Sequence, residues 1–204
     1  LLASDSDDNP GLVLGAALAR TPGEMGYRDK IGIVSDGTPV VGFGDWAEQL
    51  IAESTGKIGK GVLPVVLEPQ SQELHSGLAD LLAVHVQADA KPVSGDTVSV
   101  SGPLGAQFLL WEYATVVASR LLGINPFDQP DVESAKIAAR GMLEQRDAVI
   151  APLFASDSIE VRATELSISG TTVADAIKSL LAELDDDEGY VSIHAYLDRT
   201  SVAE

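Results

Sequence analysis

Residues 30–68 read KIGIVSDGTPVVGFGDWAEQLIAESTGKIGKGVLPVVLE, and the order of apolar segments in this stretch indicates the fold class. Two short apolar segments, 30–35 and 61–68, are typical of buried strands. Between them, residues 44–55 read as a helix, and Gly56 is the residue type that commonly ends one. Because strands joined through a helix usually run parallel, the stretch predicts a strand–helix–strand unit of a parallel sheet.

The remainder of the chain continues this alternation. A helix is predicted over 9–19, because Asn9 is a favoured N-cap and Pro10 suits the first helical position. The segment 103–123 is apolar nearly all round, which predicts a core helix. The other predicted elements are strands at 80–87, 159–164 and 190–197 and helices at 129–146 and 172–185. The pattern predicts an α/β fold, with a mainly parallel β-sheet flanked by helices on both faces. A domain at 1–150 is followed by a C-terminal β-α-β extension at 151–204.

Composition excludes several classes of function. The chain has 204 residues and a formal net charge of −18, whereas nucleic-acid binding and docking on anionic lipid need a basic face. It has no cysteine, which excludes disulfides and thiolate metal sites. No apolar run reaches the roughly 18 residues of a membrane span. The chain begins with Leu and stops just after a predicted strand, so we expect it to be part of a longer protein.

Two further patterns carry little functional signal. Residues 42–47, GFGDWA, fit the G-x-G-x-x-A pattern of dinucleotide-binding helices, although Asp45 would place a negative charge where a pyrophosphate binds. A dinucleotide-binding oxidoreductase therefore stays an alternative. His75, His85 and His194 have no partner at metal-ligand spacing, and no metal site is predicted. His85 and His194 alternate with apolar residues, which favours ordinary strand positions over catalysis.

The segment 125–136, NPFDQPDVESAK, begins a predicted helix that carries polar residues on its apolar face. Pro130 suits the first turn, and acidic residues follow it near the positive end of the helix dipole. At about 100° per residue, one apolar stripe contains Val132, Ala135, Ala139, Met142 and Leu143. Lys136 falls inside this stripe, and Gln129 points almost the same way. A cation and an amide are therefore expected on the buried face.

The helix predicted at 44–55 has the same feature with the opposite charge. Glu53 shares a face with Trp46 and Leu50, and Gln49 lies one turn away. A carboxylate held against apolar surface has a raised pKa, which suits a general base near neutral pH. The two helices therefore predict a polar site between packed elements that is suited to acid–base chemistry.

Simpler interpretations of the same residues stay open. Glu53 could be exposed to solvent, or it could pair with Lys57 four residues later. It could also form an ion pair with Lys136 between the two helices.

At these residues the sequence resembles the glucose-6-phosphate isomerase family in its actinobacterial form, and the isomerase part of transaldolase–isomerase fusions. The segment 103–136 is similar to the family's C-terminal signature, in which F-D-Q precedes V-E-x-x-K. The matching residues are Phe127, Asp128, Gln129, Val132, Glu133 and Lys136. The commoner form has Trp-Gly where this chain has Pro130 and Asp131, with the spacing unchanged. The segment 48–57, EQLIAESTGK, resembles the part that carries the catalytic glutamate, and the resemblance extends over essentially the whole chain.

The resemblance implies a sugar isomerase (SIS) fold, which is a flavodoxin-like parallel sheet between helices. It implies reversible conversion of glucose 6-phosphate to fructose 6-phosphate, in glycolysis and gluconeogenesis, without a metal or an organic cofactor. Glu53 would move a proton between C2 and C1 through a cis-enediol. Lys136 would assist opening of the sugar ring at the ring oxygen, and Gln49 and Gln129 would hold substrate oxygens.

Part of the family's site is expected outside residues 1–204. The phosphate loop and the arginine that steadies the enediolate would belong to an upstream N-terminal SIS domain of the same chain. The ring-opening histidine is expected downstream, so none of the three histidines receives that role. We expect a cytoplasmic homodimer with a site completed across subunits, and little activity from residues 1–204 alone. The alternative is a non-catalytic SIS-type module that binds sugar phosphate.

Overall fold

The computed structural model of the chain describes residues 8–19, 28–89, 91–93, 97–144, 150–163, 168–185 and 189–196. Its helices are α1 (Pro10–Leu18), α2 (Phe43–Thr55), α3 (Leu104–Leu122), α4 (Pro130–Glu144) and α5 (Val173–Ala182), with a 3₁₀ helix at Gln72–His75. Its strands are β1 (Lys30–Ser35), β2 (Leu63–Leu67), β3 (Leu81–Gln87), β4 (Thr97–Ser101), β5 (Phe154–Ser156) and β6 (Ile159–Val161). The chain divides into two compact units, Leu1–Gly141 and Met142–Glu204.

The first unit contains a four-stranded, fully parallel sheet in the order β2–β1–β3–β4. β1 is central and carries four consecutive buried residues, which is why its sequence is a continuous apolar run rather than an alternating one. β1 forms at its predicted residues, and β2 and β3 form within theirs. The predicted α/β fold with a parallel sheet flanked by helices is therefore confirmed. The sequence patterns do not predict β4, TVSVS, which adds the fourth strand.

The hydrophobic core lies on one face of this sheet. Ile33 of β1 and Val84 of β3 are register partners, and both are buried in one cluster with side chains of α1, α2 and α3. Trp111 of α3 is fully buried in that cluster. On the opposite face, Val65 of β2 is 38% exposed, whereas Val34 of β1 and Leu67 of β2 are buried. The described helices that build this core therefore pack on one face of the sheet, and a helical layer on the second face is not found among the described residues.

α1 begins as its sequence predicts and packs closely against α3. The Asn9 side chain accepts a hydrogen bond from the backbone N–H of Gly11 at 3.0 Å, which caps the helix. Gly15 faces α3 so closely that a Cβ atom in its place would lie 2.6 Å from Cβ of Val117. A glycine is therefore needed for the two helices to approach each other.

α3 is buried on one side only. Its buried side includes Trp111 and Ala114, whereas Leu109 and Leu121 are exposed. The predicted core helix therefore contributes one side to the core, because the sheet and its neighbouring helices reach only part of its circumference. No helix in the described part of the chain is long and apolar enough to cross a membrane.

The second unit contains an antiparallel β5–β6 hairpin and α5. Thr172 and Asp175 form a reciprocal capping box at the start of α5, which begins at the predicted place. Residues 190–196 have no regular secondary structure, so the strand predicted there is wrong, and residue 197 lies outside the described residues. A strand needs a partner for its backbone groups, and among the described strands β5 and β6 pair only with each other. The expected β-α-β extension is therefore a hairpin and a helix.

Candidate active site

α2 brings two of the predicted site residues together. The side-chain amide of Gln49 donates a hydrogen bond to Oε1 of Glu53 at 3.0 Å, one helical turn away. Both residues are exposed, so the expectation that Glu53 lies on a buried face is wrong. The buried stripe of α2 contains Phe43, Ala47 and Ile51, and Glu53 lies outside it. Two apolar residues suggested that Glu53 is buried, and these residues, Trp46 and Leu50, are themselves only partly buried where they pack against the core.

Lys57 is the most deeply buried cation of the described chain, with only 4% of its surface exposed. Its ammonium group donates hydrogen bonds to the backbone carbonyls of Asn125 at 3.1 Å, of Pro126 at 3.4 Å and of Asp128. An ammonium has three N–H donors, so these three carbonyls can satisfy it without a carboxylate. Among the described residues it forms no ion pair with Glu53, so of the simpler interpretations the pairing of these two residues is wrong and the exposure of Glu53 to solvent is confirmed.

These contacts join the two segments that carry the predicted site. Lys57 follows the last turn of α2, which contains Glu53, and the three carbonyls belong to the loop that leads into α4. Gln129 is the next residue after that loop, and its carbonyl accepts the N–H of Glu133 in the first turn of the helix. The structure therefore holds the end of α2 against the start of the 125–136 motif, a contact that the helical patterns do not predict.

The helical patterns do not single out Lys57, which they suggest only as a partner for Glu53. The sequence does carry a signal for a tight turn at Lys57, because glycines stand at positions 56, 59 and 61 in the short segment around it. The backbones of Lys57 and Lys60 pair across this loop, with N···O distances of 3.1 Å in both directions. Ile58 and Gly59 between them have φ of 53° and 69°, so the chain reverses directly after the helix. This tight turn fixes the backbone of Lys57 at the end of α2.

α4 does not bury the residues that its pattern placed on an inner face. Lys136 and Gln129 are exposed, and no residue of α4 whose side chain is described is buried. The apolar residues of the predicted stripe are also exposed at Met142 and Leu143. The expectation of a buried Lys136 is therefore wrong for the described chain, because no described element covers that stripe. Glu53 and Lys136 form no ion pair in the described chain, which removes that interpretation as well.

The start of α2 is negatively charged. Asp45 lies in the first turn, and burial raises the pKa of Glu48, with a further contribution from the charge of Asp45. Gly42 is the N-cap, in a left-handed conformation with φ of 75°, and provides no side-chain cap. Two carboxylates near this helix end are unfavourable for a pyrophosphate group, so the geometry gives the dinucleotide alternative no support.

The three histidines are dispersed in the structure. His85 lies in β3 as predicted, and its Nδ1 is 3.3 Å from Oδ2 of Asp36. His194 lies in the irregular segment, where its Nε2 is 2.8 Å from the Ser192 hydroxyl, so its predicted strand position is wrong. His75 is exposed in the 3₁₀ helix. Within the described ranges, no group of three or more histidine, cysteine or acidic side chains could hold a metal ion.

Comparison with known proteins supports the fold and no more. No family model matches the chain, and no curated protein matches it. Among solved structures, the chain is similar to the crystal structure of a hypothetical protein from Thermus thermophilus, with a TM-score of 0.50 and 16% sequence identity. The match covers 66% of this chain and 44% of that protein, so the chain spans less than half of its neighbour's length. At this identity the likeness concerns the α/β architecture alone.

Proposed function

We propose that this chain supplies the base and the ring-opening cation of a glucose-6-phosphate isomerase. The observation that carries the proposal is the set of hydrogen bonds from Lys57 to the 125–128 loop. These bonds join the end of the helix that contains Glu53 to the start of the helix that contains Lys136. Residues that the family resemblance assigns to one site come from these two segments.

The proposed chemistry is a proton transfer between adjacent carbon atoms. Glu53 takes the proton from C2 of the open-chain aldose while the carbonyl oxygen at C1 gains a proton, which yields a cis-enediol. Glu53 then delivers its proton to C1 while the hydroxyl at C2 loses one, which balances the proton gained by the oxygen at C1 and yields the ketose with no net gain or loss of protons. Gln49 donates a hydrogen bond to the Glu53 carboxylate and so restricts its orientation. Lys136 stabilises the ring oxygen during opening, and Gln129 binds a substrate hydroxyl; no metal or organic cofactor takes part.

This mechanism needs cover that the described residues do not provide by themselves. Glu53 and Lys136 are both exposed, whereas a proton shuttle between two carbons must be shielded from exchange with water. In the proposal, an upstream SIS domain of the same protein and a second subunit of a homodimer close the site. The protein would act in the cytoplasm, where sugar phosphates are metabolised.

The test uses the native protein that contains these residues. Glu53→Gln keeps the size of the side chain and removes the base, so kcat for isomerisation should fall by roughly 10²–10⁴ with folding unchanged. Glu48→Gln is the matched control, because it makes the same change on the same helix outside the Gln49–Glu53 pair, and it should retain most of the activity. A Glu53→Gln variant that keeps most of its kcat would overturn the assignment.

A second substitution tests the role of Lys136. Lys136→Ala should slow turnover of the ring-closed sugar more than turnover of an open-chain substrate, because only the former needs ring opening. Arg140→Ala, one turn later on the exposed surface of α4, is the matched control and should affect neither. Equal losses on the two substrates would contradict a ring-opening role.

The exposure of Glu53 favours one alternative, a non-catalytic module that binds sugar phosphate. In that case Glu53 and Lys136 would contribute to affinity only. Incubation of the native protein with glucose 6-phosphate that carries a hydrogen isotope at C2 separates the two functions. Only an isomerase transfers the C2 hydrogen to C1 or exchanges it with water.

A further inference from the structure

The strand order creates a topological switch point at the carboxyl-terminal end of the sheet. Glu53 lies at the other, amino-terminal end. From β1 the chain proceeds to β2 on one side, and it then returns to β3 on the other side of β1. Where connections leave neighbouring strands in opposite directions, α/β proteins commonly bind ligands beyond the carboxyl ends of the strands. The last turn of α2 lies at the other, amino-terminal end, where the Thr55 hydroxyl accepts the N–H of Val62 just before β2.

Four polar side chains meet at this switch point. Asp36 follows β1, His85 and Gln87 lie in β3, and Ser99 of β4 is the register partner of His85. By the alternation of strand residues, His85, Gln87 and Ser99 lie on the face opposite to the hydrophobic core. The described helices of the core do not pack on that face, but it is not bare, since Val34, the register partner of His85, is fully buried there.

Hydrogen bonds hold these side chains in one arrangement. The Gln87 amide donates to Oδ2 of Asp36 at 2.7 Å, and its carbonyl oxygen accepts from the Ser99 hydroxyl at 2.6 Å. The backbone N–H of Lys91 donates to the same Gln87 oxygen at 3.3 Å and to the Ser99 hydroxyl oxygen at 3.2 Å. Gln87 is almost fully buried, and both ends of its amide are engaged, so it positions Asp36 rather than a ligand.

The groups left for a ligand are the Asp36 carboxylate and one ring nitrogen of His85. The hydrogen bond from Gln87, and after it that from His85, lowers the pKa of Asp36, so this carboxyl group is ionised. A carboxylate only accepts hydrogen bonds, so Nδ1 of His85 donates to Asp36, and the Nε2 atom of the same ring is left to face a ligand. The side chains of Asp36 and His85 are 43% and 23% exposed, and a solute can reach them.

Charge restricts the class of ligand. An anion would meet the carboxylate of Asp36, and a cation would meet the charge of Lys91, which already acts on Asp36. A neutral molecule with several hydroxyl groups can donate hydrogen bonds to Asp36 and is repelled neither by this carboxylate nor by the charge of Lys91. We propose that Asp36 and His85 bind a neutral polyhydroxylated ligand, a sugar or a sugar alcohol, at the switch point between β1 and β3.

The test is a titration of the ¹⁵N-labelled chain with D-glucose and with sorbitol, followed by amide chemical shifts. Saturable shifts should be centred on Gly37, Ala88 and Lys91, and Asp36→Asn should weaken binding by on the order of tenfold. The amide spectrum of that variant reports in the same experiment whether the fold is kept. His85→Ala, which removes the second side chain of the proposed site, should also weaken the binding of both probes.

Asp80→Asn is the matched control for Asp36→Asn. It removes a carboxylate at the opposite end of β3, next to the first residue of the strand, and should leave the affinity unchanged.

Several outcomes would overturn the proposal. One is the absence of saturable shifts with both probes, and another is shifts that persist unchanged in Asp36→Asn. A third is that inorganic phosphate or ethylammonium binds at the same amides more tightly than glucose and sorbitol do. Shifts confined to the surroundings of Gln49 and Glu53 would also overturn it, since they would locate sugar binding in the other site. A negative result here leaves the isomerase assays unaffected, because those depend on residues at the other end of the sheet.

Discussion

Lys57 shows how a single side chain can order a loop that carries no regular structure. Burial of a cation without a compensating partner is costly, and backbone carbonyls provide the compensation in this structure. The same carbonyls lie in a loop between two helices, where they would otherwise need water. The Lys57 side chain therefore contributes both to stability and to the position of the 125–128 loop.

Replacement of Lys57 by Met should destabilise the chain by about 1–3 kcal/mol, because three carbonyls lose their donor. Urea unfolding followed by the fluorescence of Trp46 and Trp111 measures this change. Lys60→Met is the matched control: Lys60 is exposed and its ammonium donates to the carbonyl of Leu122 at 3.0 Å, so the cost should stay below about 1 kcal/mol. Equal losses in the two variants would contradict the role of Lys57.

Asp80 should make stability depend on pH. Its carboxylate is 2.7 Å from the ammonium of Lys30, and this hydrogen bond lowers the pKa of Asp80. A lowered pKa in the folded state gives a stabilisation that is present above the unfolded value of about 3.9 and is lost as the pH falls through the folded value. Because the Asp80 side chain is 39% exposed, water screens the pair, and we expect only about 0.5 kcal/mol at neutral pH.

The comparison of wild type with Asp80→Asn by urea unfolding tests this expectation. The difference in the free energy of unfolding should be present at neutral pH and vanish in strong acid. Asp89→Asn is the control, since Asp89 is exposed and forms no ion pair within the described chain. A difference that grows as the pH falls would show that the sign is wrong.

The helices differ in how well their sequence predicts their environment. The end of α2 at Gly56 and the Asn9 cap of α1 follow from the sequence, because such signals act within a few residues. The buried side of α2 does not, because its apolar residues form two overlapping stripes and the tertiary contacts select the one through Ala47 and Ile51. α4 has an apolar stripe with no described partner, so periodicity alone predicts burial where none is found.

The contact between α1 and α3 should be sensitive to the size of one residue. Gly15→Ala should cost about 1–3 kcal/mol, because the new Cβ would lie 2.6 Å from Cβ of Val117 and 2.7 Å from the carbonyl oxygen of Ala114. Thermal unfolding followed by circular dichroism measures the change. Gly105→Ala, in α3 with open space around the position, should be neutral or slightly stabilising. Similar stability of the two variants would contradict the close approach.

Among the described residues, the buried core belongs to the first unit. Every buried residue of the main hydrophobic cluster lies between Leu14 and Ala118. A chain that ends at Gly141 should therefore unfold in one cooperative transition, as followed by the fluorescence of its two tryptophans. A gradual, non-sigmoidal loss of signal in urea would show that the second unit is needed for this core.

Local signals in the sequence predict the alternation of helices with the first three strands and their parallel arrangement, because apolar runs, helix caps and glycines act over short distances. Three features become visible in the folded chain alone: Glu53 and Lys136 are exposed, Lys57 binds the 125–128 loop, and Asp36 contacts His85. The loop contact and the Asp36–His85 pair join residues far apart in the chain, and exposure depends on which elements pack together. Packing of whole elements decides these features, and no local period in the sequence specifies them.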